Sequence, residues 1–225
     1  MELELKVRMN HQLFVRDPES TELGRRIVRQ SIVLIQELGF EHFTFKKLSV
    51  AVKTTEAGIY RYFENKHTLL VYLLDWYWTV LRYQIKIRVF NINEAEKRLR
   101  LIIQLLADWG DDPWMEDPLQ KSLYKIAISE GNKTYLTKEV GLDNSKQFFK
   151  PYKDLCNDIA LVMLELSPDF PYAHSLSSTL IETSYLQNYF MENLPSLTDF
   201  GKQIDKTSLI QFLEHLVFSA LQTKK

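Results

Sequence analysis

Apolar residues return at three- and four-residue steps along most of this chain, and no segment alternates apolar with polar positions between turn signals as a strand would. The first twenty residues, which include Asp17-Pro18, read as an arm of uncertain order. From Thr21 a helix is expected, with Ile27, Ile32, Leu34, Ile35 and Leu38 mostly on one side, Arg25, Arg26 and Arg29 off that stripe, and Gly39 as its stop. Thr44 is a good N-cap for a short second helix carrying Leu48, Ala51 and Val52. Thr54 or Thr55 can cap a third, where Ile59 and Phe63 sit four apart on the inner face. Asn65 caps a longer helix that begins at Lys66 and runs through Leu69, Leu70, Leu73, Trp76, Tyr77, Val80 and Leu81 toward Arg88. The period resumes with Leu99, Ile102, Ile103, Leu105 and Leu106, and Asp111-Asp112-Pro113 breaks it. Later helices are expected at about 114–130, 143–166, 171–194 and 204–222, divided by Gly131-Asn132, Gly141, Ser167-Pro168 with Pro171, and Pro195. The predicted fold is all-α, three short helices followed by a bundle of longer ones.

Composition agrees with this picture. Seven Gly and seven Pro in 225 residues fall below the roughly 16 and 11 of average usage, as long helices with few turns require. Hydrophobic residues at 45% and charged residues at 25% are those of a globular chain with a sizeable core, not of a disordered one. Cys156, the single cysteine, excludes an internal disulfide framework and any cysteine-built zinc site, and fits a reducing cytoplasm. The start lacks the apolar run of a secretory signal, and no stretch of about 18 uncharged apolar residues marks a membrane span. A net charge of -1 argues against a uniformly basic nucleic-acid binder. That neutrality is an average, however: residues 1–22 carry -2, residues 23–100 carry +7 and residues 101–225 carry -6. A basic block ahead of an acidic one separates two jobs along the chain.

The basic block has a specific chemistry. Two short helices joined by a tight turn have the spacing of a helix-turn-helix, whose second helix must bring its N-terminal end to base edges in the major groove. Short residues there, Ala57 and Gly58, leave little bulk between backbone and DNA. Glu56 either accepts from a cytosine amino group or sits on a solvated face. Tyr60, Arg61 and Tyr62 offer phosphate or base contacts, while Lys46, Lys47, Lys53 and Lys66 supply the counterion-releasing charge that dominates affinity.

The run from Gly39 to Leu70 resembles the DNA-binding domain of the tetracycline-repressor (TetR) family. That family has an aromatic-Thr before the second helix, a small residue ahead of an aliphatic-Tyr pair, then an aromatic or His, Phe, a polar cap and Lys. The corresponding residues here are Phe43-Thr44, Gly58, Ile59-Tyr60, Tyr62-Phe63, Asn65 and Lys66. One departure is Lys53, in a turn where the family often has Gly or another small residue. The resemblance covers roughly residues 21–75 and implies an arm at 1–20, a helix-turn-helix domain at 21–66 and a ligand-binding and dimerisation domain at 67–225. It implies phosphate contacts for Thr44, Lys46, Thr54, Thr55, Tyr60, Tyr62 and Lys66, and base-facing positions for Glu56, Ala57, Gly58 and Arg61. The implied partners are a palindromic double-stranded operator, a second copy of the chain and a small-molecule effector, with no cofactor; the implied activity is transcriptional regulation, in particular repression.

Past residue 90 the resemblance is one of architecture. The family pairs its last two helices across a dimer, and here these carry Tyr185 and Tyr189, then Phe212, Leu216 and Phe218, among more apolar surface than one face of a helix needs; burial within the subunit is the alternative. The aromatics Trp76, Tyr83, Trp109, Trp114, Tyr124, Phe149 and Tyr152 either line a cavity for a lipophilic or aromatic effector or form plain core. Cys156 reads as a small buried hydrophobe. The five scattered histidines show no metal-ligand spacing, and no Gly-rich phosphate loop or nucleophile elbow is present, so neither a metal nor an enzyme activity is expected. The rivals to a DNA-binding regulator are a helical adaptor whose basic face binds other anionic partners and, behind it, an enzyme whose site is assembled in space from distant residues.

Overall fold

The computed structural model describes residues 9–108, 117–201 and 205–222. Helices α1 (Glu22–His42), α2 (Phe45–Ala51) and α3 (Glu56–Tyr60) come first. They are followed by α4 (Lys66–Val89), α5 (Ala95–Asp108), α6 (Pro118–Glu130), α7 (Val140–Ser145), α8 (Lys150–Leu166), α9 (Ala173–Asn193) and α10 (Lys206–Gln222). No strand occurs among the described residues. The chain packs as two compact units, Met1–Val80 with Glu116–Pro151 and Leu81–Met115 with Tyr152–Lys225.

Local signals set most helix starts in the first unit. Thr21, Thr44 and Thr55 cap α1, α2 and α3 through their hydroxyls, and Asn65 Oδ1 accepts the Thr68 amide at the start of α4. Around these ends Ile27, Ile32, Ile35, Phe43, Leu48, Ile59, Phe63, Leu69 and Leu70 are almost fully buried, the first unit's core. Gly39 takes φ 74°, the left-handed value a glycine reaches without strain, and there the chain leaves regular helix before Phe40–His42. The freed Phe40 amide donates to Glu130 Oε1 of α6 at 3.0 Å.

Two expectations change. The arm is ordered from its described start: Asn10 caps a 3-10 turn at His11–Leu13, Asp17 caps another at Pro18–Ser20, and Leu13 is fully buried. The segment 143–166 is two helices, because Gln147 takes φ 62° between α7 and α8 and no helix passes through a left-handed residue. In the second unit α5, α9 and α10 pack together around Leu99, Leu106, Leu180, Ile181, Leu209, Leu213 and Val217.

Candidate nucleic-acid interface

The turn between α2 and α3 is built on Lys53, whose φ is 53°. The position where the resembling family places a small residue therefore does need a left-handed backbone, and a lysine adopts it here at a cost of about 1 kcal/mol. The turn is closed by the Thr54 amide donating to the Ser49 carbonyl at 2.9 Å. Beyond it, Thr55 Oγ1 accepts the Gly58 amide at 3.1 Å and starts α3. Gly58 has no room for a side chain, since a Cβ would stand 2.5 Å from Thr54 Oγ1.

Most of the residues named from sequence are exposed on the first helices. Thr44, Lys46, Thr55, Glu56, Ala57, Tyr60 and Arg61 are exposed, and Thr54 and Gly58 are half-buried. Tyr60 is 50% exposed and stands edge-on to Phe45, ring centres 5.1 Å apart, so its ring is braced on one side.

Two assignments need correction. Tyr62 is 3% exposed, and its hydroxyl shares a 2.7 Å hydrogen bond with Thr21 Oγ1, which fixes the start of α1 against the end of α3. A buried ring with an engaged hydroxyl is no phosphate contact. Lys66 turns inward as well: its Nζ donates to the Phe40 carbonyl at 3.1 Å, lies 3.4 and 3.5 Å from those of Glu41 and Phe43, and sits 4.7 Å from the Phe40 ring centre. The ammonium neutralises the frayed carbonyls at the end of α1 and ties them to α4.

Electrostatics separate the two parts of the chain. Among the described residues no carboxylate lies within 4.0 Å of the charged groups of Arg16, Arg29, Lys46, Lys53 or Arg61, all in the head and all exposed. In the second unit, by contrast, Arg82 bonds Asp154 and Asp158 at 2.8 and 2.5 Å, Lys86 reaches Asp158 at 3.2 Å, Arg98 pairs with Glu165, and Arg100 pairs with Glu96 and Glu214. Arg82, Lys86, Arg98 and Arg100 of the second unit are paired with carboxylates, and those five cations are not. Exposed, unpaired cations are suited to a polyanion.

The remaining candidates are spread over both units. Trp76 and Phe149 are half-buried and Tyr124 is buried in the first. In the second, Tyr152 donates to Glu182 Oε1 at 2.8 Å, whereas Tyr83 is 44% exposed, which removes it from any enclosed lining. Trp109 and Trp114 lie outside the described residues. An open pocket of about 490 Å³ sits where α4 gives way to α5, lined by Lys86, Val89, Phe90, Ile92, Asn93 and Arg98, none of them named from sequence. Cys156 is buried, and that burial pushes its thiol up to about 11, so it stays protonated.

On the last two helices, Leu209, Leu213, Val217 and Leu221 form the inner stripe of α10. Phe212 is 39% exposed, its ring 5.7 Å from that of Phe200, Leu216 and Tyr189 are half-buried, and Phe218 is half-buried beneath the Arg100 guanidinium at 4.4 Å. Tyr185 is buried within the subunit at 5% exposure and leaves the interface set. The group of residues that sequence reasoning missed is the arm, where no periodicity or motif marks Leu13, Val15 and Arg16 as part of the head.

Residues 27–73 match the family model of bacterial regulatory proteins, tetR family. No curated protein matches the chain in sequence. Solved structures share its fold. The fatty acid degradation regulator FadR from Bacillus halodurans is 17% identical with a TM-score of 0.62, covering 89% of this chain and 96% of its own. AibR, solved in complex with isovaleryl coenzyme A and operator DNA, is 15% identical with a TM-score of 0.60, covering 88% and 98%. The transcriptional regulator FadR from Bacillus subtilis, in complex with stearoyl-CoA, is 14% identical with a TM-score of 0.59, covering 89% and 99%. The tetR-family model thus matches the first helices, and these solved structures share the chain's fold along nearly nine-tenths of its length.

Proposed function

We propose that the chain is a homodimeric, sequence-specific DNA-binding transcriptional regulator of the cytoplasm, without enzymatic activity, whose hold on a two-fold-symmetric operator is relieved by a small molecule. The observation that carries this reading is the exposure of Thr44, Lys46, Thr55, Glu56, Ala57, Tyr60 and Arg61, with cations that no carboxylate among the described residues neutralises. Thr44, Lys46, Thr54, Thr55 and Tyr60 serve as phosphate contacts, and Glu56, Ala57, Gly58 and Arg61 face bases. The effector is lipophilic; an acyl-coenzyme A thioester is the class supported by AibR and the Bacillus subtilis FadR, which are seen with such ligands. Phe212, Leu216, Phe218 and Tyr189, which keep apolar surface exposed, are the dimer contact, where they would meet the same residues of a second copy. Among the described residues no helix is long and apolar enough to cross a membrane, and no cluster of ligating side chains could hold a metal.

Selection from a random pool of duplexes tests the reading. A pair of inverted half-sites should be enriched, and acyl-CoA thioesters of increasing chain length, titrated into the complex, should release it over a limited range of lengths. A pool that returns without enrichment contradicts sequence-specific binding and favours the adaptor alternative.

A further inference from the structure

The arm brings an exposed cation to the end of the recognition helix. The Val15 amide donates to the Tyr62 carbonyl at 2.8 Å, the neighbouring Leu13 is fully buried, and the Thr21 and Tyr62 hydroxyls are bonded to one another. On the other side the backbone of Pro18 crosses α1 so closely that a Cβ on Gly24 would fall 2.2 Å from its carbonyl oxygen. Arg16 is thus held between two fixed points, with its guanidinium carbon 5.7 Å from the Tyr62 ring centre. A cation on an aromatic face keeps its N–H groups directed outward for another partner.

Among the described residues no carboxylate lies within 4.0 Å of the Arg16 guanidinium. Of the acids nearest in sequence, Asp17 Oδ1 accepts the Glu19 amide at 2.9 Å and Glu22 faces Arg26 at 3.7 Å, and neither these nor the Glu19 carboxylate pairs with Arg16. Arg16 is exposed, as is Arg61 at the C-cap of α3, one residue before Tyr62. An arginine anchored by buried neighbours yet left without a counter-charge sits where the bound duplex would supply one.

We propose that Arg16 binds a DNA phosphate, so that the arm forms part of the reading head and the phosphate contact that the motif assigns to Tyr62 belongs to the arginine lying on its ring. This rests on the DNA-binding reading above. A planar guanidinium meets a phosphate through two parallel N–H donors, and the contact is indifferent to base sequence.

The test uses the full-length chain and the duplex recovered by selection, together with a scrambled duplex of the same length, with affinity measured over a series of salt concentrations. Arg16→Ala should weaken binding to both duplexes by about 3- to 10-fold and lower the slope of log affinity against log salt by about one per subunit, as for loss of one phosphate contact. Its thermal midpoint should not change, and Arg16→Lys should restore most of the slope. Gly24→Ala, which pushes Pro18 and the arm away from α1, should reproduce the loss, and adding Arg16→Ala to it should change little. Arg16→Ala with wild-type affinity and slope would overturn the proposal. A loss confined to the selected duplex would also overturn it, since that is a base contact. Failure of the wild-type chain to bind any duplex would remove the reading on which the proposal rests, and so is distinguishable from both.

Discussion

At the scale of single residues, Lys53 and Asp75 hold positions that general rules discourage. Lys53 sits in the left-handed region at φ 53°. Lys53→Gly relieves the backbone but loosens the unfolded chain, so its stability should stay within about 0.5 kcal/mol of wild type. Lys53→Val, with a β-branched side chain forced to positive φ, should lose about 1–2 kcal/mol in urea unfolding. A harmless valine would mean that the turn relaxes rather than being held. Asp75 lies in α4 at 5% exposure, and its Oδ1 is buried without a hydrogen-bond partner. Burial pushes its carboxyl up to about 7, while the Asn10 backbone amide pulls the other way. The fold therefore favours the protonated form: the stabilisation is fully present below the ordinary value of 3.8 and is lost as pH rises through about 7. Asp75→Asn keeps an acceptor for Asn10 and removes the charge, so it should match wild type near pH 4 and exceed it by a few kcal/mol at pH 8. Urea midpoints that fall in parallel across that range would show that Asp75 is not the titrating group.

At the scale of elements, α3 is five residues long and cannot stand alone, so its cap and its single core residue carry it. Thr55→Ala should cost about 1 kcal/mol and weaken DNA binding, and Thr55→Ser should restore both. Lys66 makes the opposite kind of prediction from the one its motif position implies. Lys66→Ala should lower the thermal midpoint, because three carbonyls at the end of α1 lose their donor, and it should leave the salt slope of DNA binding unchanged. A stable variant with a slope reduced by one would return Lys66 to the phosphate contacts.

Which features could be read from the sequence follows from how local their causes are. The hydroxyl caps at Thr21, Thr44 and Thr55, the amide cap at Asn65 and the inner pair Ile59 and Phe63 depend on residues three or four apart, and periodicity finds them. The arm does not, since its order comes from distant partners: Val15 on Tyr62, and Asn10 Nδ2 on the Lys146 carbonyl at 2.9 Å. Tyr62 and Lys66 carry family positions, but Thr21 and the frayed end of α1 engage their polar atoms, which no motif records. The break at Gln147 escaped because nothing in a glutamine announces a positive φ.

At the scale of the whole molecule, the proposed dimer would use the exposed Phe212 and the half-buried Leu216 of α10, which lie off its buried stripe. Phe212→Asp combined with Leu216→Asp alters that pair and leaves Leu209, Leu213, Val217 and Leu221 in place. The double variant should remain helical and sediment as a monomer, with half-site DNA binding too weak to detect at concentrations that saturate wild type. A dimer of the double variant would place the interface elsewhere. The charge division has the same logic: a head with cations that no described carboxylate pairs, and a second unit in which Arg82, Arg98 and Arg100 are bound to carboxylates, favour approach to the duplex by the head. The most direct measurement is a mobility shift on the DNA upstream of the chain's own gene, with the stoichiometry of the retarded species determined. Two chains per duplex in a single complex, weakened steeply by salt, is the result predicted here; no retarded species on that DNA at any salt concentration would contradict it.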